Sequence, residues 1–72
     1  MQESYRVDIG KILRDARKKK GLTQEQLAQK VGKKRSYISR IEGGLGNNIN
    51  VKTLIDVVEN GLDGQLKVTF II

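Results

Sequence analysis

The 72-residue chain contains no cysteine, no histidine, no proline and no tryptophan. Without cysteine, neither a disulfide nor a thiolate-held metal can staple so small a domain. Without histidine it lacks the commonest general base, metal ligand and near-neutral proton switch. No pair of carboxylates forms a recognisable site, and Ser36 and Ser39 have no base to activate them, so catalysis is not expected, nor is a metal or a cofactor. No apolar run approaches the roughly 18 residues of a membrane-crossing helix. The N-terminal MQESYRVDIG lacks the apolar core of a secretory signal, so a soluble, cytoplasmic protein that does not engage membranes is expected. A chain of this length forms one domain, residues 1–72, which buries only about 60% of its unfolded surface. Its stability must come from close helix packing or from association.

What the chain has in excess is positive charge, a net +6. Its distribution is uneven. Residues 11–40 hold eleven of the 14 cations but only Asp15 and Glu25 of the eight acids, which makes this block +9 and the remainder −3. A one-sided basic block suits a polyanion partner; the plainer reading is a lysine-rich, solvated face.

Residues 1–7 are polar and unpatterned, an arm. Asp8 is a helix cap, and Ile9, Ile12, Leu13 and Ala16 recur at helical spacing. Lys18, Lys19 and Lys20 then suit the negative end of the helix dipole, and Gly21 stops the helix, giving a first helix over residues 8–20. Thr23 with Gln26 three residues on is a capping box; Leu27, Ala28 and Val31 form an inner stripe and Gly32 ends a second helix over 24–30. Ile38 and Ile41 are the inward face of a third, 34–42. Asn50 caps a fourth over 51–60, with Val51, Leu54, Ile55, Val58 and Leu62 on its apolar side. The last segment changes period. In residues 65–71, Leu66, Val68 and Phe70 alternate with Lys67 and Thr69, a strand pattern. One strand alone leaves its backbone groups unpaired, and the economical partner is the same strand of a second copy across a two-fold axis; the alternatives are a frayed tail or pairing with residues 4–7.

The middle of the chain carries the functional signal. Two short helices joined by a glycine-containing turn let one cross a nucleic-acid backbone while the next projects into a major groove, which admits one α-helix. TQEQLAQKVG followed by KKRSYISRIEGG resembles the helix-turn-helix of the phage-repressor-like (Cro, XRE) family, over residues 9–58. The resemblance implies an all-α fold, a four-helix lambda-repressor-like domain, here followed by the short C-terminal strand pairing across a dimer. It also implies roles. Gln24 matches a position that binds a phosphate and braces the recognition helix. Lys34, Arg35 and Ser36 match the exposed turn that enters the major groove, where Arg35 has the geometry to read guanine through O6 and N7. Tyr37 matches a position near the phosphate backbone and Arg40 a base or phosphate contact; Lys33, just before this helix, and Ser39 on it are further candidates for DNA contact. Arg17 and Glu42 match a buried structural ion pair.

The chain departs from the family's pattern at two places. Lys33 stands where the family has an apolar residue, and Lys34 where it has a Ser or Thr cap. Lys is a poor cap and its charge opposes the helix dipole, a cost that a nearby phosphate reverses. The loop 43–48 has none of the family's basic residues, so phosphate contacts there fall to Asn47 and Asn48, to backbone N–H groups or to Lys52. The C-terminal strand narrows the resemblance to antitoxin repressors of the HigA-like and HipB-like groups. Such a protein binds a palindromic operator in double-stranded DNA as a homodimer, through Leu66, Val68 and Phe70, and holds a toxin, either a RelE-like RNase or a HipA-like kinase. The alternatives are a phage-type or restriction-controller repressor without a toxin, and a protein-interaction module in which DNA binding is secondary.

Overall fold

A computed structural model of the chain describes residues 8–43, 49–69 and 71–72. The first helix, α1, spans Ile9–Lys19, and its N-terminus is closed by Asp8, whose carboxylate accepts the Lys11 N–H at 3.0 Å. The second, α2, spans Gln24–Lys30 behind a complete capping box: Thr23 accepts the Gln26 N–H, and the Gln26 side chain accepts the Thr23 N–H. Both helices end in the same way. Leu22 N–H bonds the Arg17 carbonyl and Gly21 N–H that of Lys18; Lys33 N–H bonds the Ala28 carbonyl and Gly32 N–H that of Gln29. These are two Schellman motifs, each built on a left-handed residue. Gly21 and Gly32 supply it, at φ +73° and +69°.

The third helix, α3, spans Arg35–Glu42 and starts at Lys34 with no side-chain cap. The fourth, α4, spans Val51–Ile55 and is capped by Asn50, which accepts the Thr53 N–H at 2.8 Å. It does not continue as an α-helix to residue 60. Asp56–Gly61 is a π turn, in which Leu62 N–H bonds the Val57 carbonyl five residues back. Val57 joins the core beside Leu62, which the pattern placed inward, while Leu54 and Val58 pack against it. Val57 is 1% exposed, whereas Val51 and Ile55, expected inside, are 62% and 39% exposed.

Leu13, Leu27, Ala28, Ile38, Ile41, Val57 and Leu62 form the core. The inward face of α1 also differs from expectation. It is Gly10, Leu13 and Arg17 that are buried; Ile9 and Ala16 flank them, and Ile12, expected in the core, is 55% exposed. Arg17, a cation the apolar pattern ignores, takes the place on the inner face that the pattern gave to an aliphatic residue. Ile12 instead lines a groove of about 730 Å³ with Ala16, Val58, Leu62 and Leu66.

Among the described residues there is no strand. Residues 64–69 make no ladder hydrogen bonds, since the described residues offer that segment no second edge. Phe70 lies outside the described residues. No helix among the described residues is long and apolar enough to cross a membrane.

Candidate nucleic-acid interface

Two helices and the turn between them set the geometry of this face. The Schellman turn at Gly32 reverses the chain after α2 and lets α3 start within two residues. Ile38 and Ile41 then pin one side of α3 to the core, with Leu27 and Ala28 of α2 packed in the same cluster. The cap residue Lys34 and, on the outer side of α3, Arg35, Ser36 and Arg40 are exposed, and Ser39 is half-buried. Lys33 is exposed at the end of the turn, with its ammonium 5.3 Å from the centre of the Tyr37 ring, a cation–π distance. Tyr37 itself is half-buried and packs against the core, so its ring serves as scaffold as well as a platform for Lys33.

Behind this surface lies the ion pair. Arg17 Nε donates to Glu42 Oε2 at 2.6 Å and Arg17 Nη2 to Oε1 at 3.0 Å, a fork-to-fork pair. The remaining arm, Nη1, donates to the Leu22 carbonyl at 2.8 Å. The two side chains are 9% and 3% exposed, and the Glu42 carboxylate holds the Arg17 guanidinium above its ordinary pKa. The pair ties α1 and the α1–α2 turn to the last residue of α3.

Gln24 connects this buried pair to the surface. Its Nε2 donates to Glu42 Oε1 at 3.1 Å, and its Oε1 accepts from Arg35 Nη1 at 3.2 Å. The sequence resemblance implied that Gln24 braces the recognition helix; the structure places its side chain in contact with Arg35 of α3. The contact with Glu42 was not legible in the sequence, because nothing in the spacing of residues 24 and 42 announces it.

Eight of the ten residues singled out for DNA contact therefore have a described position; Asn47 and Asn48 lie outside the described residues. Lys33 and Lys52, the loop's proposed substitute, line one shallow depression with Tyr37 and Asn60. Not every lysine of the basic block is free: Lys11 bonds Asp15 at 2.8 Å and Lys30 bonds Asp63 at 2.9 Å. Among the described residues no group of His, Cys, Asp or Glu is arranged to hold a metal ion.

Residues 13–60 match the helix-turn-helix family. Over 46 residues, 64% of the chain, the sequence is 46% identical to the HTH-type transcriptional regulator SlrR of Bacillus subtilis (strain 168). The match spans 30% of that relative's own length. The family's span takes in Arg17, Gln24, the whole of α3 and Glu42, and it ends before residues 61–72. The chain belongs to the XRE-type helix-turn-helix family, a family of DNA-binding transcription regulators and not of enzymes.

Proposed function

We propose that this chain binds double-stranded DNA by placing the N-terminal turn of α3 in the major groove, and that it represses transcription from a palindromic operator. The observation that carries the reading is the state of that turn. Lys34, Arg35 and Ser36 stand exposed at a helix start with no side-chain cap, so cationic side chains, orphan backbone N–H groups and the positive end of the helix dipole converge on one point. An isolated protein bears a cost there that a phosphate backbone removes. In this reading Arg35 reads a guanine edge, Lys33, Lys34 and Arg40 meet phosphates or bases, Ser36 and Ser39 add hydrogen bonds, and Tyr37, Asn47 and Asn48 lie along the backbone.

A palindrome requires two copies. The proposed dimer contact is the C-terminal segment, through Leu66, Val68 and Phe70 pairing as strands between subunits. In its support, Val68 is 63% exposed and Ile71 and Ile72 are fully open, apolar side chains that the other described residues leave uncovered. The same segment supports an antitoxin of the HigA-like or HipB-like kind, which regulates its own operon and holds a RelE-like RNase or a HipA-like kinase. A repressor without a toxin uses the same DNA face, and binding assays with and without the co-transcribed neighbour separate the two.

The test is selection of bound sequences from a random DNA pool at low salt, with the mass of the complex measured alongside. The expected result is a palindromic consensus whose half-sites lie about 34 Å apart, one helical turn. Failure to enrich any sequence at low salt, where phosphate-driven binding is strongest, would remove the proposal.

A further inference from the structure

Four side chains form one continuous hydrogen-bonded line from the inside of the protein to its surface: Arg17, Glu42, Gln24 and Arg35. The line has a fixed polarity. A carboxylate only accepts and a guanidinium only donates. Gln24 lies between one of each, so its amide has a single orientation that satisfies both neighbours: NH₂ toward Glu42 and carbonyl toward Arg35. Turned over, it would set oxygen against oxygen on one side and N–H against N–H on the other. The carbonyl that meets Arg35 is therefore oriented by Glu42, which is buried and itself held by two arms of Arg17.

Arg35 keeps most of its donors in this pose. The guanidinium has five N–H groups in a planar fork, and Gln24 engages one of them, at Nη1. An edge with two parallel donors stays open, which is the arrangement that guanine O6 and N7 require. We infer that Glu42 is a positioning residue for base recognition: acting through Gln24, it fixes the pose of Arg35 and thereby the base preference at the single position Arg35 reads. This rests on the proposed role of Arg35 and adds to it a source of specificity inside the core. Glu42 is then more than half of a structural pair, because the oxygen that bonds Arg17 Nη2 is also the one that directs the reading residue.

The experiment separates the line from the fold it belongs to. Replacing Arg17 and Glu42 together, as Arg17→Met with Glu42→Leu, removes both buried charges while filling their space, an exchange that commonly preserves stability. It leaves Gln24 with no inner acceptor. Gln24→Met removes the middle link without touching the pair. Two readouts follow for each variant, at temperatures where melting curves show it folded. The first needs no DNA: the order of the Arg35 side-chain N–H groups, from nuclear-spin relaxation. The second is the ratio of affinities for guanine and adenine at the operator position that Arg35→Ala relaxes.

The expected result is increased Arg35 mobility in both variants. Guanine preference at that one position should fall, by up to about tenfold if one immobilised side chain's ordering is lost, with other positions unchanged and no further loss when Arg35→Ala is added. An equal loss of affinity for every sequence in Gln24→Met would make Gln24 a phosphate contact only and overturn the inference, as would an Arg35 equally ordered in all three proteins. If Arg35→Ala relaxes no position at all, the base-reading role fails instead, while the relaxation data still report on the line itself.

Discussion

Gly10 of α1 lies directly on Ile41 of α3: a methyl group at Gly10 would sit 2.7 Å from the Ile41 carbonyl oxygen and 2.8 Å from that of Glu42. Both atoms are backbone and neither can rotate away. The first helix thus crosses the end of the recognition helix at a distance only glycine permits, within one helical turn or two of the Arg17–Glu42 pair.

Gly10→Ala should therefore destabilise the protein, against the rule for helices. In an open helix this change gains up to about 1 kcal/mol. Here overpacking against rigid backbone should cost about 1–3 kcal/mol, and a domain of this size should lose several degrees of Tm for each about 1 kcal/mol. Thermal melts of Gly10→Ala decide the sign; a rise in Tm would show that α1 can move off α3 freely.

Breaking the ion pair on one side should be far worse than removing it whole. Glu42→Ala leaves the Arg17 guanidinium buried without its carboxylate, a loss of about 3–5 kcal/mol, comparable to the entire stability of a small domain. Denaturant titration of Glu42→Ala beside the Arg17→Met, Glu42→Leu double variant should find the single variant much the weaker.

On DNA, Arg35→Ala should cost about 1–3 kcal/mol and relax one base position. Lys34→Ala should weaken binding more evenly across sequences and lower the salt slope by about one ion. Salt titrations with operator and scrambled DNA make the distinction. Equal behaviour of the two variants would assign Arg35 to the phosphates.

Acid should loosen the C-terminal turn. The hydrogen bond from Lys30 holds the Asp63 carboxyl below its ordinary value of 3.8. A carboxyl with a lowered folded-state pKa stabilises the fold above the ordinary value, and that contribution disappears as pH falls through the folded-state pKa. Asp63 is at the surface, so the effect is small and sensitive to salt. Lys30→Met should return the Asp63 titration, followed by magnetic resonance, to the ordinary carboxyl range.

The proposed dimer has its own test. Val68→Asp places a charge in the segment proposed to pair while leaving the core untouched, since no residue of 65–69 belongs to it. The variant should melt like the parent but sediment as a monomer, and its affinity for a full palindrome should drop to that for a half-site.

Much of this architecture follows from local chemistry, which a sequence displays. Asp8, Thr23 and Asn50 cap helices because their oxygens reach N–H groups three residues on, and Gly21 and Gly32 end helices because a left-handed residue is needed there. What stayed hidden depends on contacts between distant segments. Val57 lies in the core within the π turn at Asp56–Gly61, and periodicity counted in α-helical steps puts Ile55 there instead. Ile12 fits an apolar stripe but is displaced to the groove because Arg17 and Gly10 take up the inner face of α1. Gly10 reads as an indifferent residue early in a helix until α3 is laid across it. The Arg17–Glu42 pair was legible only through family resemblance, and its extension through Gln24 to Arg35 not fully even so.

The Schellman ending of α2 bears on how such a protein changes its target. The angle between α2 and α3 is set by the backbone hydrogen bonds of the turn at Gly32, and the seat of α3 by Ile38 and Ile41. Neither uses Lys34, Ser36 or Arg40, so those positions are free to drift and find new operators with the scaffold unchanged. Position 35 is not free in that way. A new residue there must also suit Gln24, so on the proposed role of Arg35 a change of letter at the base pair it reads is a two-residue event.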